Sequence, residues 1–324
     1  MIKLLLLIAL SSLLSATYTN CTFKNKNYEN ICEKVVKKGV SYDYVNKFLL
    51  SYFKTQKFDE ISWKYLKPRY IKVHNKNEKK ANNVLVKHVP LMIKNLNKYE
   101  KVYDEAERKY GVNREIIVAI LMKETRLGAI IPKHDAFLVF NTMIVRSKPN
   151  SHREKWILNM GRTNMVSIIS HCYKKGVTPE ECNLPSSYAG AVGIPQFMPN
   201  SFVYLESYES EVADLTKMQD AIMSAAKFLH KKAKFTTLID WEIMPDIPQI
   251  EAKWYEYDFK HENTSFVYEK SKSGKIYNCF TKGKKELAYM KEYTKKIMTY
   301  NNSSNYSVGV MRLAYDAHFL RKSK

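Results

Sequence analysis

Along residues 28–98, apolar positions recur at helical spacing, as at Val45, Phe48, Leu49 and Phe53, with charged residues between them. That rhythm predicts an N-terminal region of amphipathic helices over 28–90. Residues 75–83, rich in Asn, Lys and Glu, predict a polar loop. Pro90 suits the opening of a further helix. Gly111 is placed to stop that helical stretch and Asn113 to cap the next one, with Val112 and Ile117 as a hydrophobic staple. On the new helix Ile117, Ile120 and Leu121 line one face, and Glu124 extends the stripe one turn further before Gly128 ends it. A carboxylate thus stands where an apolar residue is expected. Met218, Ala221, Ile222, Ala225 and Leu229 form another stripe, and Val310, Leu313, Ala314 and Ala317 a third; both predict core helices. Residues 265–270 and 275–280 flank Ser271-Lys272-Ser273-Gly274, with the alternation and turn chemistry of a β-hairpin. The fold class read from these patterns is mainly α.

Composition narrows the setting. The 324 residues are 45% hydrophobic and 26% charged, enough for one large core or two modest ones. Lys and Arg total 53 against 32 Asp and Glu, a formal charge of +21 that favours polyanionic surroundings. The cations are scattered in pairs such as Lys37-Lys38 and Lys284-Lys285, without an aromatic-flanked stripe, so no nucleic-acid partner is expected. Lys3 followed by an apolar run over 4–14, then small and polar residues, has the layout of a secretory signal peptide within residues 1–20, with cleavage between Ala16 and Cys21. No later stretch is long and apolar enough to span a bilayer. The chain is therefore expected to be exported to the periplasm or cell envelope. Lipid on Cys21 is a minor alternative, because Tyr18-Thr19-Asn20 lacks small aliphatic residues. Five cysteines in an oxidising compartment point to disulfides, and Cys172 and Cys182 bracket a short loop that could close; connectivity of Cys21, Cys32 and Cys279 is left open. No His/Cys spacing argues for zinc.

Two clusters carry candidate chemistry. A Glu on an apolar helix stripe is desolvated, which raises its carboxyl pKa towards the range of a general acid; the alternative is a structural pairing with Lys123 or Arg126. The second cluster, Ser186-Ser187-Tyr188-Ala189-Gly190-Ala191-Val192-Gly193-Ile194-Pro195-Gln196-Phe197-Met198-Pro199, sets small residues and one two-sided hydrogen-bonding amide among apolar neighbours. Such a loop suits a sugar; a tight turn with a core Gln is the competing reading.

Taken together, Glu124-Thr125-Arg126-Leu127-Gly128 and the Ala189-to-Pro199 segment resemble the lytic transglycosylases, and within them the membrane-bound lytic murein transglycosylase B family. Tyr110-Gly111-Val112, Glu115-Ile116-Ile117-Val118, Asp220-Ala221-Ile222 and Tyr300-Asn301-Asn302-Ser303 hold the frame, so the resemblance covers about residues 90–320. It implies a lysozyme-like catalytic domain over 91–322 with an insertion at about 240–290. It implies peptidoglycan as substrate, with Glu124 as catalytic residue and Ser187, Gln196, Asn301, Tyr188 and Tyr300 binding the sugar. The implied reaction cleaves the β-1,4 bond between N-acetylmuramic acid and N-acetylglucosamine and closes a 1,6-anhydro ring. A two-carboxylate glycosidase needs a second acid, and none stands out near Glu124 or Gln196. The family's adjacent arginines have no counterpart, since Arg146, Arg153 and Arg162 stand apart. Residues 206–214 lack the alternating oxygen ligands of a calcium loop, so no metal and no cofactor is expected. A hydrolytic muramidase on the same scaffold and a non-catalytic wall-binding protein are the rival readings.

The charge makes a prediction of its own. If the basic surface concentrates the protein on anionic envelope polymers, turnover on insoluble sacculi falls with added salt while cleavage of a short soluble glycan hardly changes. Equal salt sensitivity on the two substrates would remove the idea.

Overall fold

The computed structural model describes residues 18–55, 57–255, 269–270, 276–277 and 285–323. Residues 1–17 of the expected N-terminal leader and the Cys279 position lie outside them. Among the described residues the chain runs α1 (Lys26–Val36), α2 (Tyr42–Thr55), α3 (Glu60–Tyr65), α4 (Pro68–Leu85), α5 (Val89–Lys98), α6 (Glu100–Tyr110) and α7 (Arg114–Thr125). Strand β1 (His134–Asp135) and helices α8 (Ala136–Arg146) and α9 (His152–Lys174) follow, then β2 (Pro185–Ser186), α10 (Met218–Ala233) and α11 (Ile247–Trp254). Strands β3 (Glu269–Lys270) and β4 (Ile276–Tyr277) precede α12 (Lys285–Met298) and α13 (Ser304–Lys322). The mainly α expectation holds. The hairpin is present as an antiparallel pair, Glu269 opposite Tyr277 and Lys270 opposite Ile276; its turn lies outside the described residues. No described helix is long and apolar enough to cross a membrane.

Two apolar cores organise the chain. In the first, α7 is surrounded by α4, α5, α6, α10 and α13, so that every residue from 116 to 122 is fully buried. The single apolar face read from the sequence is thus a minimum: this helix is apolar because protein encloses it on all sides. The opening part of the expected insertion belongs to this core too, through Trp241, Met244, Ile247 and Trp254. The second core joins α1, α2, α8 and α9 with Val192, Phe197 and Leu215. Here Val45, Phe48 and Leu49 are buried as their spacing requires, and the Phe48 ring meets Phe137 at 5.0 Å. Helices α1 and α2 therefore have no core of their own, and rest on α8 and α9.

Local expectations differ in instructive ways. Residues 75–83 are helical, not a loop, and form the second half of α4. Tertiary contact decides this: buried Asn82 donates to the Tyr255 hydroxyl and the Asn305 carbonyl, each at 2.9 Å. Gly111 does end α6 in a left-handed conformation. Asn113 stands at the N-cap of α7, but its side chain does not cap; it clamps the backbone of Ile239, accepting from its N–H at 2.6 Å. The free Arg114 N–H is met by Glu107 instead. Helix α7 also stops at Thr125, earlier than Gly128, with Arg126, Leu127 and Gly128 all at positive φ.

Cys172 and Cys182 form the expected disulfide, and Cys21 pairs with Cys32. The second pairing corrects the lipid alternative, because the Cys21 sulfur is already bonded.

One close approach locks α4 to α13. A Cβ added at Gly309 would stand 2.4–2.5 Å from the side-chain atoms of Asn82. Gly309→Ala is therefore expected to force the two helices apart and to destabilise the protein by about 1–3 kcal/mol, read as a lower urea midpoint at unchanged m-value. An unchanged midpoint would show that α4 is held loosely.

Candidate active site

The end of α7 and the 186–199 loop meet where the two cores touch. Thr125 makes the join: its hydroxyl donates to the Ile194 carbonyl at 3.0 Å and accepts from the Gly128 N–H at 3.0 Å. This explains the Thr and Gly of the first motif. The loop is fixed from its own side by a reciprocal backbone pair between Val192 and Phe197, and by the Ile194 N–H on the Leu215 carbonyl at 2.8 Å. Its glycines sit against protein. A Cβ at Gly190 would strike the Phe140 ring and one at Gly193 the backbone of Leu215, and both residues have positive φ. Strand β2 begins the loop and pairs antiparallel with β1, Ser186 opposite His134.

The resulting cleft, of about 600 Å³, brings together all six residues singled out from the sequence: Glu124, Ser187, Tyr188, Gln196, Tyr300 and Asn301. Their roles differ. The Ser187 hydroxyl accepts from the Ala191 N–H at 3.2 Å, and the Gln196 amide donates to the Gly193 carbonyl at 2.8 Å. Both side chains are oriented by their own loop while lining the cleft. Asn301 is exposed at the cleft wall. Tyr300 is a builder: its hydroxyl donates to the Pro195 carbonyl at 2.6 Å and its ring packs on Phe197 and Phe228. The Tyr188 ring meets Tyr65 of α3 at 5.3 Å, and burial raises its phenol pKa.

Glu124 stands in the last turn of α7, with one side open to the cleft and protein around the rest. Burial pushes its carboxyl up to about 7 from an ordinary 4.5; the charge of Glu78 adds to this, while Tyr306 and Lys123 act against it. The Tyr306 hydroxyl donates to Glu124 Oε1 at 2.6 Å. Neither structural pairing considered for Glu124 forms as an ion pair among the described residues. Lys123 turns its ammonium to Asn82 and over the Tyr306 ring at 4.8 Å, and Arg126 lines a separate groove with Leu91 and Lys98.

Several cleft residues escaped the sequence reading, among them Tyr306, Glu78 and Asn302. Tyr306 lies one turn ahead of the Val310, Leu313 and Ala317 stripe, so extending that stripe backwards would have found it. Glu78 falls in the stretch taken for a loop; on a helix it shares a face with Asn82 and Leu85. It corrects the expectation that no second acid stands near Glu124. Asn302 follows Asn301 in the wall. The lone arginines are used elsewhere: Arg146 pairs with Glu60, and Arg153 bonds the Leu66 carbonyl, so both hold the α3 region. In the 206–214 segment, the Glu206 carboxylate is met by Lys109 and Lys227, and the segment's backbone N–H groups at Tyr208 and Asp214 bond Asp220.

Comparison with known proteins bears on the family and the fold. The profile of the transglycosylase SLT domain matches residues 24–315, which takes in the N-terminal helices as well as the region from 90 onward. Membrane-bound lytic murein transglycosylase B of Escherichia coli (strain K12) is 30% identical over 106 residues, 33% of this chain and 27% of that protein. The chain thus matches about a quarter of that relative's length. The solved Escherichia coli lytic transglycosylase Slt35 in complex with bulgecin A superposes with a TM-score of 0.61 at 18% identity, covering 94% of this chain and 97% of that one. SltB3 from Pseudomonas aeruginosa, in complex with NAG-anhNAM-pentapeptide, gives 0.59 at 16% identity, over 89% and 78%. Those two likenesses show a shared lysozyme-like fold, and the profile match over most of the length shows more: the chain belongs to the transglycosylase SLT domain family.

Proposed function

We propose that this protein is an exported peptidoglycan lytic transglycosylase, with Glu124 as general acid and then base. The observation that carries the reading is a carboxyl that lines the cleft, with its Oε1 held by Tyr306 and burial pushing it up to about 7. Protonated Glu124 gives its proton to the glycosidic oxygen as the bond from C1 of N-acetylmuramic acid to that oxygen breaks. The resulting carboxylate, with Tyr306 still donating, removes the proton of the muramyl 6-hydroxyl. That oxygen then bonds C1 and closes the 1,6-anhydro ring. No water is consumed, and Glu124 ends protonated as it began. Ser187, Gln196 and Asn301 orient the sugar by hydrogen bonds. Capture of one relative with a NAG-anhNAM peptide supports this product. The apolar run at 4–14 and the two disulfides support an extracytoplasmic location.

Glu78 favours one second reading, a hydrolytic muramidase, because a second carboxylate in the cleft could activate water. Mass spectrometry of the muropeptides separates the two: lytic cleavage leaves anhydromuramyl ends, lighter by one water than the reducing ends of hydrolysis. A protein that only binds walls would release nothing from dye-labelled sacculi, and has no use for a desolvated carboxyl.

Glu124→Gln is expected to lower turnover by about 10²–10⁴-fold; a variant releasing anhydromuramyl products at near the wild-type rate would sink the mechanism. For the wild type, activity falls as pH rises through about 7, where the acid form is lost. Stability moves with the same proton. The folded-state pKa lies above the unfolded one, so the native state is fully favoured below about 4.5 and loses stability as pH rises towards 7. Glu124→Gln should therefore melt higher than the wild type at pH 8, with the gap closing at pH 4.

A further inference from the structure

Helix α4 forms part of the cleft through Asn77, Glu78 and Ala81. Its position is not loose: one turn beyond Glu78, Asn82 is buried against Gly309 of α13 and bonded to Tyr255, the Asn305 carbonyl and Lys123. The Glu78 carboxylate is fixed in turn by Ser303, whose hydroxyl donates to Oε2 at 2.6 Å. Ser303 is the N-cap of α13 and accepts from the Tyr306 N–H at 3.2 Å. Three residues into that helix, Tyr306 bonds Glu124. Glu78 therefore belongs to one contiguous polar assembly with the proposed acid, although it lies 46 positions away and in the N-terminal region.

We propose that Glu78 is a positioning residue for the cleavage reaction, a second cleft carboxylate whose negative charge holds the proton on Glu124 between turnovers, with Lys123 as its counterweight. The proposal rests on the reading of Glu124 as the acid. Two carboxylates sharing a cleft flanked by buried protein resist being charged together. The groups that act on Glu124 come from three places: Lys123 from its own helix, Tyr306 from α13 and Glu78 from α4. Tyr300, from the segment before α13, is itself acted on: burial, together with the charge of Glu124, pushes its phenol up. Of the three that act on Glu124, Glu78 is the carboxylate, and its effect is upward; Lys123 pulls downward. Burial lowers the Lys123 pKa, and both carboxylates act to restore it. The N-terminal region is thereby more than a support for the fold, because it supplies a charge that the proposed chemistry uses.

The test is a pH–rate profile of the full chain on purified sacculi, with muropeptide release as readout. Glu78→Gln keeps an acceptor for Ser303 but removes the charge. Its alkaline limb should move down by on the order of half a pH unit, a rate about threefold lower on the alkaline side, with little change at acid pH. Lys123→Met should move the limb upward. A Glu78→Gln profile lowered evenly at all pH values, or one that overlays the wild type, would overturn the proposal, since a merely structural Glu78 leaves the limb where it was. So would limbs that move in the same direction in the two variants. Glu124→Gln, run alongside, keeps the two readings apart. If it is inactive and the Glu78→Gln limb stays fixed, only the role of Glu78 fails; if it remains active, the reading of Glu124 as the acid fails.

Discussion

The Thr125 hydroxyl, bridging the Ile194 carbonyl and the Gly128 N–H, ties the end of a fully buried helix to a loop that belongs to the other core. A side-chain bond of this kind contributes only on the order of 1 kcal/mol net. Its geometric consequence is larger. Glu124 precedes Thr125, and Gln196 follows Ile194 by two positions, so this contact sets how far the carboxyl stands from the loop that is proposed to hold the sugar. The positive φ angles at Arg126, Leu127 and Gln196 accumulate at the same join, where backbone strain is found when surrounding packing over-determines it.

Around that join the protein separates rigidity from chemistry. Large apolar side chains from α7, α10 and α13 enclose one side and α8, α9 and the 192–197 turn the other, while Tyr300 packs on both cores and bonds Pro195. Polar groups are then gathered at the seam, each with a protein partner that orients it: Tyr306 on Glu124, Ser303 on Glu78, Gly193 on Gln196. A buried carboxyl costs stability when it ionises. The same cost keeps it protonated near neutral pH, which the proposed acid step requires.

The N-terminal helices change meaning in this light. Read alone, residues 28–90 are an amphipathic stretch with no assigned task. In the folded chain, α1 and α2 complete the second core, and α3 is fixed by the Asp59 contacts to Ser62 and His134 at 2.8 and 2.6 Å. Helix α4 reaches the cleft itself. The profile match beginning at residue 24 agrees with an N-terminal region integral to the family's fold.

What the sequence determined by itself is whatever depends on local order. Periodicity placed the core helices, Gly111 announced a helix end, and the family resemblance carried by two short motifs and the Tyr300–Ser303 segment pointed to six side chains that the fold gathers into one cleft. Where local order is ambiguous the reading slipped: Asn- and Lys-rich residues 75–83 lack an apolar rhythm, yet Asn82 is buried by contacts with α13 and Tyr255 that no local window contains. Only tertiary structure decided which groups surround Glu124. Glu78 and Tyr306 come from α4 and α13, 228 positions apart in the sequence, and meet because helices pack through close approaches such as Gly309 on Asn82. Spacing along a chain encodes the face of a helix; it does not encode which other helix that face will meet.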